Sequence, residues 1–405
     1  MNSDIINECI NVIVSYLFDF IGDKNIISVI LTGSVARNQA TYRYVKGKLA
    51  LESDLDLVVV VKYVAIIKSF ILIKCLSKKV TSDLVKRGLI VSHVSFSVTT
   101  EKALLHSGPS IFYQDLRVNG KVIFGKDIRS SFRSYKINKI PIQDLYRLLF
   151  NRMVESLEAL VLSGALEGKL DEYSFDLIFK LLRKMNFALI QVMLIKEGIL
   201  IFNISEIETA YAYQLKNQQV LDHLLKSHNE LVATSKSSKN EYSILIIERY
   251  WSRIIDHFNL TMKLLYRIDD SSTSPLSSNI SSNLIEKILF EHERLGDRLK
   301  TSLMIFLQYF KISNAREVVE AIIFVLRFGS DHIYFVLYDV FLSSQSILKE
   351  EVDKEDKTNY QKKQQQQQYD STNNNNPKSH IIYTKKNWLK LYIKYLYIWK
   401  FKTGG

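Results

Sequence analysis

The hydrophobic pattern of the chain changes between residue 130 and Pro141. Before this point helical stripes are interspersed with short β-branched or alternating apolar runs, such as Leu55–Val61, which are typical of strands. After it, apolar residues recur at helical spacing, beginning with the stripe from Leu145 to Leu160. The sequence therefore predicts the fold class α+β, with an N-terminal mixed-sheet domain followed by an all-α helical domain.

The predicted elements of the first part follow the order helix, strand, short helix, strand, helix, strand. They are the helix Asp4–Phe20, the strand Ile26–Leu31, a short helix at Val35–Gln39, a hairpin at Tyr42–Glu52, the strand Leu55–Val61, the helix Ala65–Val85, the strand Val91–Val98, and a hairpin or strand end at Val118–Gly125. In the second part we predict a helix beginning near Pro141, then Phe175–Lys196, Tyr242–Arg267, Asn283–Phe310, and one or two helices within Val318–Leu348.

These patterns divide the 405 residues into four segments. We predict the sheet domain at residues 1–130, the helical domain at 141–348, a linker at 349–380 and a basic aromatic tail at 381–405. The linker is rich in Gln and Asn and cannot bury enough surface to offset its chain entropy, so it is predicted to be disordered. We expect the tail to dock on the protein's own surface, with peripheral contact to a membrane as the alternative.

Composition limits the partners and the compartment. The formal net charge of +12 suits anionic partners, but six lysines lie in Lys385–Lys402 and the remaining excess is modest for this length. The two cysteines, Cys9 and Cys75, have no metal-type spacing and no disulfide framework, so a reducing cytoplasm is predicted. The N-terminus lacks the pattern of a signal peptide, and no apolar stretch predicts a transmembrane segment.

A candidate phosphate site follows the first strand. The strand Ile26–Leu31 runs into Gly33 and Ser34 at the start of a short helix, where backbone N–H groups and the helix dipole favour phosphate. Glycine permits a close approach of the backbone, and the serine hydroxyl can bond a phosphate oxygen. Arg37 follows one turn later and is expected to reach the same anion.

A pair of carboxylates opens the next strand. Asp54 and Asp56 are two residues apart, so on an extended chain they point to the same face. Adjacent carboxylates repel each other unless cations lie between them, and oxygen-rich sites of this kind suit Mg²⁺. A phosphate cradle and a divalent-metal site in this order are the parts that phosphoryl-type transfer needs.

The runs Leu31–Arg37 and Ser53–Val60 closely resemble the signature of the DNA polymerase beta-type nucleotidyltransferases, and Gly120–Gly125 is similar to the end of that domain in stand-alone prokaryotic members. The resemblance covers about a quarter of the chain. It implies Mg²⁺-dependent transfer of a nucleoside monophosphate from a nucleoside triphosphate, such as ATP, to an acceptor, with release of pyrophosphate.

The same resemblance assigns roles to single residues. Gly33 and Ser34 would hold the triphosphate, while Asp54 and Asp56 would bind the metals of a two-metal site and carry catalysis. The family places a third carboxylate on a later strand, and the matching position here is Ser95. A neutral serine leaves the second metal with one anionic ligand fewer. The candidates to replace the missing carboxylate are Glu101, Glu52 or a glutamate of the helical domain.

Two functions are therefore carried forward. The leading hypothesis is a nucleotidyltransferase whose acceptor is a small molecule or a protein rather than nucleic acid, because no concentrated basic patch lies outside the tail. The alternative, which Ser95 favours, is a catalytically weak or inactive nucleotide-binding module whose helical domain and tail contact a partner or a membrane.

Four further polar residues on predicted helices are assigned no chemistry. Glu155 and Glu158 lie in the part of the chain where the kanamycin nucleotidyltransferases, members of the family that this chain resembles, use a glutamate as general base. Both are interpreted as solvated helix residues. Arg253 and His257 share a helix face without a supporting third group, so a structural role is predicted for them.

Overall fold

The computed structural model describes residues 2–45, 48–167, 170–207, 217–237, 243–266, 337–338 and 340–353. The described residues belong to two compact units, and the chain passes from the first to the second between Pro141 and Ile142. All described strands lie in the first unit, and the second is helical, which confirms the predicted α+β class.

The first unit combines long and short helices with seven strands among its described residues. The helices are α1 (Asn2–Ile21), α2 (Gly33–Ala36), α3 (Ile66–Lys86), α4 (Glu101–Leu105) and α5 (Ile111–Asn119). The strands are β1 (Ile26–Thr32), β2 (Tyr42–Val45), β3 (Lys48–Leu51), β4 (Leu55–Val61), β5 (Ile90–Val91), β6 (Val94–Thr100) and β7 (Lys121–Gly125).

The strands form two sheets. The large sheet has the order β6-β4-β1-β7, in which β1 is antiparallel to both β4 and β7 while β4 is parallel to β6. The small sheet has the order β2-β3-β5, with β2 and β3 paired as the predicted hairpin and β5 parallel to β3. Parallel neighbours need a crossover connection, and α3 provides it between β4 and β6.

Alternation along β4 separates two hydrophobic cores. One face, with Leu57 and Val59, packs with α1 and α3. The opposite face, with Val58 and Val60, packs with α5. Because successive side chains alternate between faces, Asp56 belongs to the α5 face and lies at the end of β4 where this second core stops.

The segment predicted as one strand, Val91–Val98, is two strands, so that prediction was wrong. β5 pairs with β3 in the small sheet, whereas β6 pairs with β4 in the large sheet. The chain therefore turns at Ser92 and His93, where Ser92 N–H donates to the carbonyl of Leu51 and the carbonyl of His93 accepts from Leu55 N–H. A change of partner strand interrupts the period-two pattern.

The segment Val118–Gly125, predicted as a hairpin or strand end, contains the end of α5 and the strand β7. The helix begins at Ser110, whose hydroxyl accepts a hydrogen bond of 3.0 Å from the N–H of Tyr113. This is an N-cap, which satisfies a backbone donor of the first turn. The predicted strand is confirmed as β7, whereas the hairpin alternative was wrong because the helix that follows this cap reaches Asn119.

The second unit contains four long helices and a further helical segment among its described residues. They are α6 (Ile142–Leu162), α7 (Glu172–Lys196), α8 (Gln218–Ser237), α9 (Ile244–Tyr266) and residues 340–353. The predicted helices near Pro141, at Phe175–Lys196 and at Tyr242–Arg267 are confirmed, while α8 was not predicted. No helix in the described ranges is long and apolar enough to cross a membrane.

Several sequence predictions fall on other parts of the chain. The predicted helix Asn283–Phe310, most of Val318–Leu348 and the tail at 381–405 lie outside the described residues. The helix at 340–353 continues past Leu348, the predicted end of the helical domain, and the predicted linker lies outside the described residues from 354 onward.

An aromatic cluster forms the core of the second unit. Trp251 is fully buried, its ring centroid lies 5.3 Å from that of Phe341, and its Nε1–H donates to the hydroxyl of Ser344 at 2.8 Å. Phe258 and Tyr338 are also fully buried, with ring centroids 5.7 Å apart. Because the one polar atom of Trp251 is satisfied, this side chain is buried without an unpaired donor.

Arg253 and His257 of α9 both contact other parts of the second unit or are buried in it. Arg253 makes an ion pair with Glu230 of α8. Nδ1 of His257 is buried and finds no hydrogen-bond partner among the described residues. Burial, and secondarily the neighbouring Arg253 and His223, lowers the pKa of His257 to about 4.

Because of His257, we expect the free energy of unfolding to fall in mild acid. Its folded-state pKa of about 4 lies below the ordinary value of 6.5, so between these values the unfolded chain binds a proton that the folded chain does not, and stability falls as the pH drops. At about pH 5 the loss is about 2 kcal/mol relative to about pH 7.5. Urea unfolding at both pH values is expected to show this loss, and His257→Gln is expected to remove it. An unchanged pH dependence in His257→Gln would contradict the assignment.

Candidate functional site

Three strand ends meet at one edge of the large sheet. Thr32 at the end of β1 pairs with Asp56 near the start of β4. Asp56 in turn pairs with Ser95 near the start of β6. Directly paired residues share a face and adjacent strands are about 4.8 Å apart, so these three residues lie side by side on the α5 face. The Gly33–Ser34 turn follows Thr32 at the same edge.

Gly33 lies directly against the carboxylate of Asp56. Its φ is +73°, in the left-handed region that favours glycine, and a Cβ at this position would lie 2.5 Å from Oδ2 of Asp56. The backbone conformation therefore favours glycine here, and a Cβ would displace the carboxylate of Asp56. The turn and the carboxylate, which are 23 positions apart along the chain, are therefore neighbours in the structure.

The helix that contains Gly33 and Ser34 is shorter than expected. It begins at Gly33, two residues before the predicted Val35–Gln39 segment, and α2 has four residues. A single turn aligns few peptide dipoles, so the predicted helix-dipole contribution is small. The turn therefore offers a phosphate the close backbone approach at Gly33 and the half-buried hydroxyl of Ser34.

Asp54 and Asp56 lie on either side of the fully buried Leu55. Asp54 is exposed and directly precedes β4, while Asp56 is half-buried within it. Because the chain is extended here, the two carboxylates are on the same side of the backbone. Neither residue belongs to the two hydrophobic cores.

This donor set fits one Mg²⁺ ion that arrives with a nucleotide. In the described ranges no three His, Cys, Asp or Glu side chains are grouped closely enough to hold a metal by themselves. Mg²⁺ in nucleotide sites is usually held by one or two carboxylates, substrate phosphates and waters. Asp54 and Asp56 satisfy that requirement, whereas a second ion bound mainly by the protein would need a further acid.

Ser95, the position where the resemblance predicted a third carboxylate, lies opposite Asp56 in the β4–β6 register. Glu101 does not replace it, since it follows the other end of β6 and lies roughly 20 Å from Ser95 along the strand. Glu52 makes an ion pair of 3.1 Å with Arg43. In the second unit, Glu155 is likewise bonded within its own helix, to Arg152 at 2.5 Å.

Arg37, predicted to reach a bound phosphate, is held by an acid of α5. Its Nη1 donates to Oδ2 of Asp115 at 2.5 Å, and its Nε donates to Oε1 of Gln39 at 3.1 Å. Oδ1 of Asp115 accepts a further bond of 2.9 Å from Nδ2 of Asn119. The ion pair links the end of α2 to α5. The contact of Arg37 with nucleotide stays a prediction.

Burial has the largest effect on the pKa of Asp115. The side chains of Arg37 and Asp115 are 21% and 12% exposed. Burial raises the pKa of Asp115, and the attraction of Arg37 and the bond from Asn119 oppose this rise only in part. The ion pair consequently adds little net stability, but removal of one partner would leave the other charge without compensation.

His93 lies on the other side of the large sheet from Ser95, although the two are only two residues apart. Its Nε2 is 3.4 Å from the hydroxyl of Ser77 on α3, so its ring is on the α3 side of the sheet, whereas Ser95 is on the α5 side. The reason is the turn between β5 and β6, which rotates His93 out of the alternation that Ser95 and Ser97 follow.

Sequence reasoning missed Asp115 and Asn119. The available signals were the N-cap at Ser110 and the spacing of four residues between Asp115 and Asn119, which places both on one helix face. The partner of Asp115 is 78 positions away along the chain, and no local pattern identifies such a pair.

Comparison with known proteins gives little beyond this geometry. No protein-family model and no curated protein matches the sequence. Among solved structures, the chain is similar to the crystal structure of spectinomycin adenyltransferase AAD(9) from Enterococcus faecialis with ATP and spectinomycin. The alignment has 15% identity, covers 64% of this chain and 98% of that chain, and has a TM-score of 0.33. A TM-score this low does not establish a shared activity.

Proposed function

We propose that the protein is a Mg²⁺-dependent nucleotidyltransferase, which transfers a nucleoside monophosphate from a nucleoside triphosphate to an acceptor and releases pyrophosphate. The observation that carries this proposal is the contact between Gly33 and Asp56, where a Cβ would lie 2.5 Å from the carboxylate oxygen. A phosphate chain can approach the backbone of this turn closely, and the turn is held against a carboxylate that suits Mg²⁺. Phosphoryl transfer depends mainly on such positioning and charge neutralisation.

In this proposal Gly33 and Ser34 hold the triphosphate, and Asp54 and Asp56 hold the Mg²⁺ that accompanies it. The bound ion would neutralise phosphate charge during transfer. A nucleophilic atom of the acceptor forms a bond to the α-phosphorus while the bond to the bridging oxygen of the leaving pyrophosphate breaks. The chain's own contribution is to fix the α-phosphorus at the open edge of the sheet.

A second candidate function rests on Ser95. Because a serine rather than an acid lies opposite Asp56, nucleotide binding with one Mg²⁺ is better supported than activation of the acceptor. The protein would then be a nucleotide-binding module with weak or no transfer, acting through a partner. A small-molecule or protein acceptor, rather than nucleic acid, and a cytoplasmic location are retained as predictions.

Transfer of label distinguishes the two functions. With a nucleoside triphosphate labelled in its α-phosphate and an extract separated into small-molecule and protein fractions, we expect the wild type to label an acceptor. Asp56→Asn is expected to reduce this labelling by about 100-fold or more, because the carboxylate that faces the turn is lost. The control is Asp83→Asn, which removes the carboxylate of α3 that pairs with Arg87.

The variant Ser95→Asp provides the opposite change in the same assay. If the wild type labels nothing and Ser95→Asp labels an acceptor, the second function is supported, because only the missing acid separated the site from activity. Equal labelling by wild type and Ser95→Asp would rule against the inactive module.

A further inference from the structure

A groove of about 420 Å³ lies beside the C-terminal half of α3, where the chain turns from β5 into β6. Small-molecule sites have volumes of about 300–1,000 Å³, so the groove is large enough for a small ligand. It is lined by Lys78, Thr81, Ser82, Val85, Lys86 and His93. No residue of the proposed nucleotide site contributes to this lining.

The groove carries positive charge that its lining does not neutralise. Lys78, Ser82 and Lys86 recur every four residues, which places them on one face of α3, and both lysines are exposed. No carboxylate of the described residues lines the groove. The acid on this stretch of helix, Asp83, is bonded to Arg87 at 2.8 Å and to Tyr16 of α1, so it faces away.

The two hydroxyl groups of the lining supply donors, whereas the ring of His93 is already bonded within the protein. The hydroxyl of Ser77 donates to the carbonyl of Val94 and accepts from Nε2 of His93 at 3.4 Å, so this ring donor is not counted toward a ligand. Oγ1 of Thr81 accepts a bond of 3.1 Å from the N–H of Val94, which leaves its own O–H to act as a donor. Ser82 adds a second hydroxyl between the two lysines.

We propose that this groove binds a phosphomonoester group. Two ammonium groups and neighbouring hydroxyl donors without a carboxylate match a dianion that has three acceptor oxygens. Val85, which is 47% exposed at the groove, provides an apolar wall for the part of the ligand next to the phosphate. The phosphomonoester belongs either to a soluble molecule or to a lipid headgroup, and both present the same chemistry to Lys78 and Lys86.

Two binding experiments on the full chain separate these sources. Calorimetric titration with glycerol 3-phosphate, with glycerol as the unphosphorylated control and with EDTA present, tests a soluble ligand. Co-sedimentation with phosphatidylcholine vesicles that contain or lack phosphatidic acid tests a lipid headgroup. We expect binding of at least one phosphomonoester probe and no binding of glycerol or of pure phosphatidylcholine.

Matched variants test the site itself. Lys78→Glu/Lys86→Glu is expected to weaken the binding about tenfold or more, and Lys78→Gln/Lys86→Gln is expected to weaken it without reversing charge. The control Lys62→Glu/Lys68→Glu makes the same charge change at exposed positions outside the groove and is expected to bind as the wild type does. An equal loss in the control, or no binding of either probe by the wild type, would overturn the proposal.

Discussion

Gly33→Ala is expected to lower the free energy of unfolding by about 1–2 kcal/mol and to abolish stabilisation of the fold by Mg²⁺-nucleotide. The first effect follows from φ of +73°, where a residue with a Cβ is strained. The second follows because the new Cβ would lie 2.5 Å from Oδ2 of Asp56, and the carboxylate must move away from the turn. Urea unfolding measures the first effect, and thermal unfolding with nucleotide measures the second.

Two controls separate strain from contact. Gly198 has φ of +86°, but among the described residues no atom beyond its immediate surroundings in the chain lies within 4 Å of the position that a Cβ would take. Gly198→Ala is therefore expected to cost a similar free energy and to leave nucleotide binding unchanged. In an Asp56→Ala background, Gly33→Ala is expected to cost less than in the wild type, because the atom it would displace is absent. Equal costs in both backgrounds would contradict the contact between Gly33 and Asp56.

Asp115→Ala is expected to destabilise the first unit by about 2–4 kcal/mol, because it leaves the guanidinium of Arg37 partly buried without its acid. Replacement of both partners, as Arg37→Met/Asp115→Leu, is expected to cost clearly less than Asp115→Ala. The reason is that burial raises the pKa of Asp115 despite Arg37. The attraction within the intact pair therefore exceeds the desolvation cost of its two charges by little. Denaturant unfolding of both proteins gives the comparison.

The same two proteins test the predicted role of Arg37 in nucleotide binding. Loss of nucleotide stabilisation in Arg37→Met/Asp115→Leu, with the fold intact, would support a contact between Arg37 and phosphate. Full retention would limit Arg37 to the link between α2 and α5. A double variant that is less stable than Asp115→Ala would contradict the account of the pair.

The long elements of the first unit could be predicted because their hydrophobic residues repeat regularly. α1 and α3 have helical stripes, and β1 and β4 are β-branched runs bounded by turn residues. The register between strands has no such signal. The pairing of Asp56 with Ser95 was expected only from the family resemblance, and that of Thr32 with Asp56 was not expected at all.

Three features escaped prediction for different physical reasons. The split between β5 and β6 depends on which strand each segment joins, and a period-two pattern contains no information about partners. α5 was missed because it is short and begins at a single cap residue, Ser110. The ion pair of Arg37 and Asp115 joins distant segments, so it depends on the complete fold of the first unit.

Thermal unfolding with each nucleoside triphosphate, in the presence and absence of Mg²⁺, tests the central claim most directly and needs no knowledge of the acceptor. A ligand that binds only the folded state at about 100 times its dissociation constant adds roughly 2.7 kcal/mol, which raises the melting temperature measurably. We expect at least one Mg²⁺-nucleotide to stabilise the wild type and to leave Asp54→Asn/Asp56→Asn unaffected. If no nucleotide shifts the wild type, or if both proteins shift equally, the Gly33–Asp56 edge is not a Mg²⁺-nucleotide site.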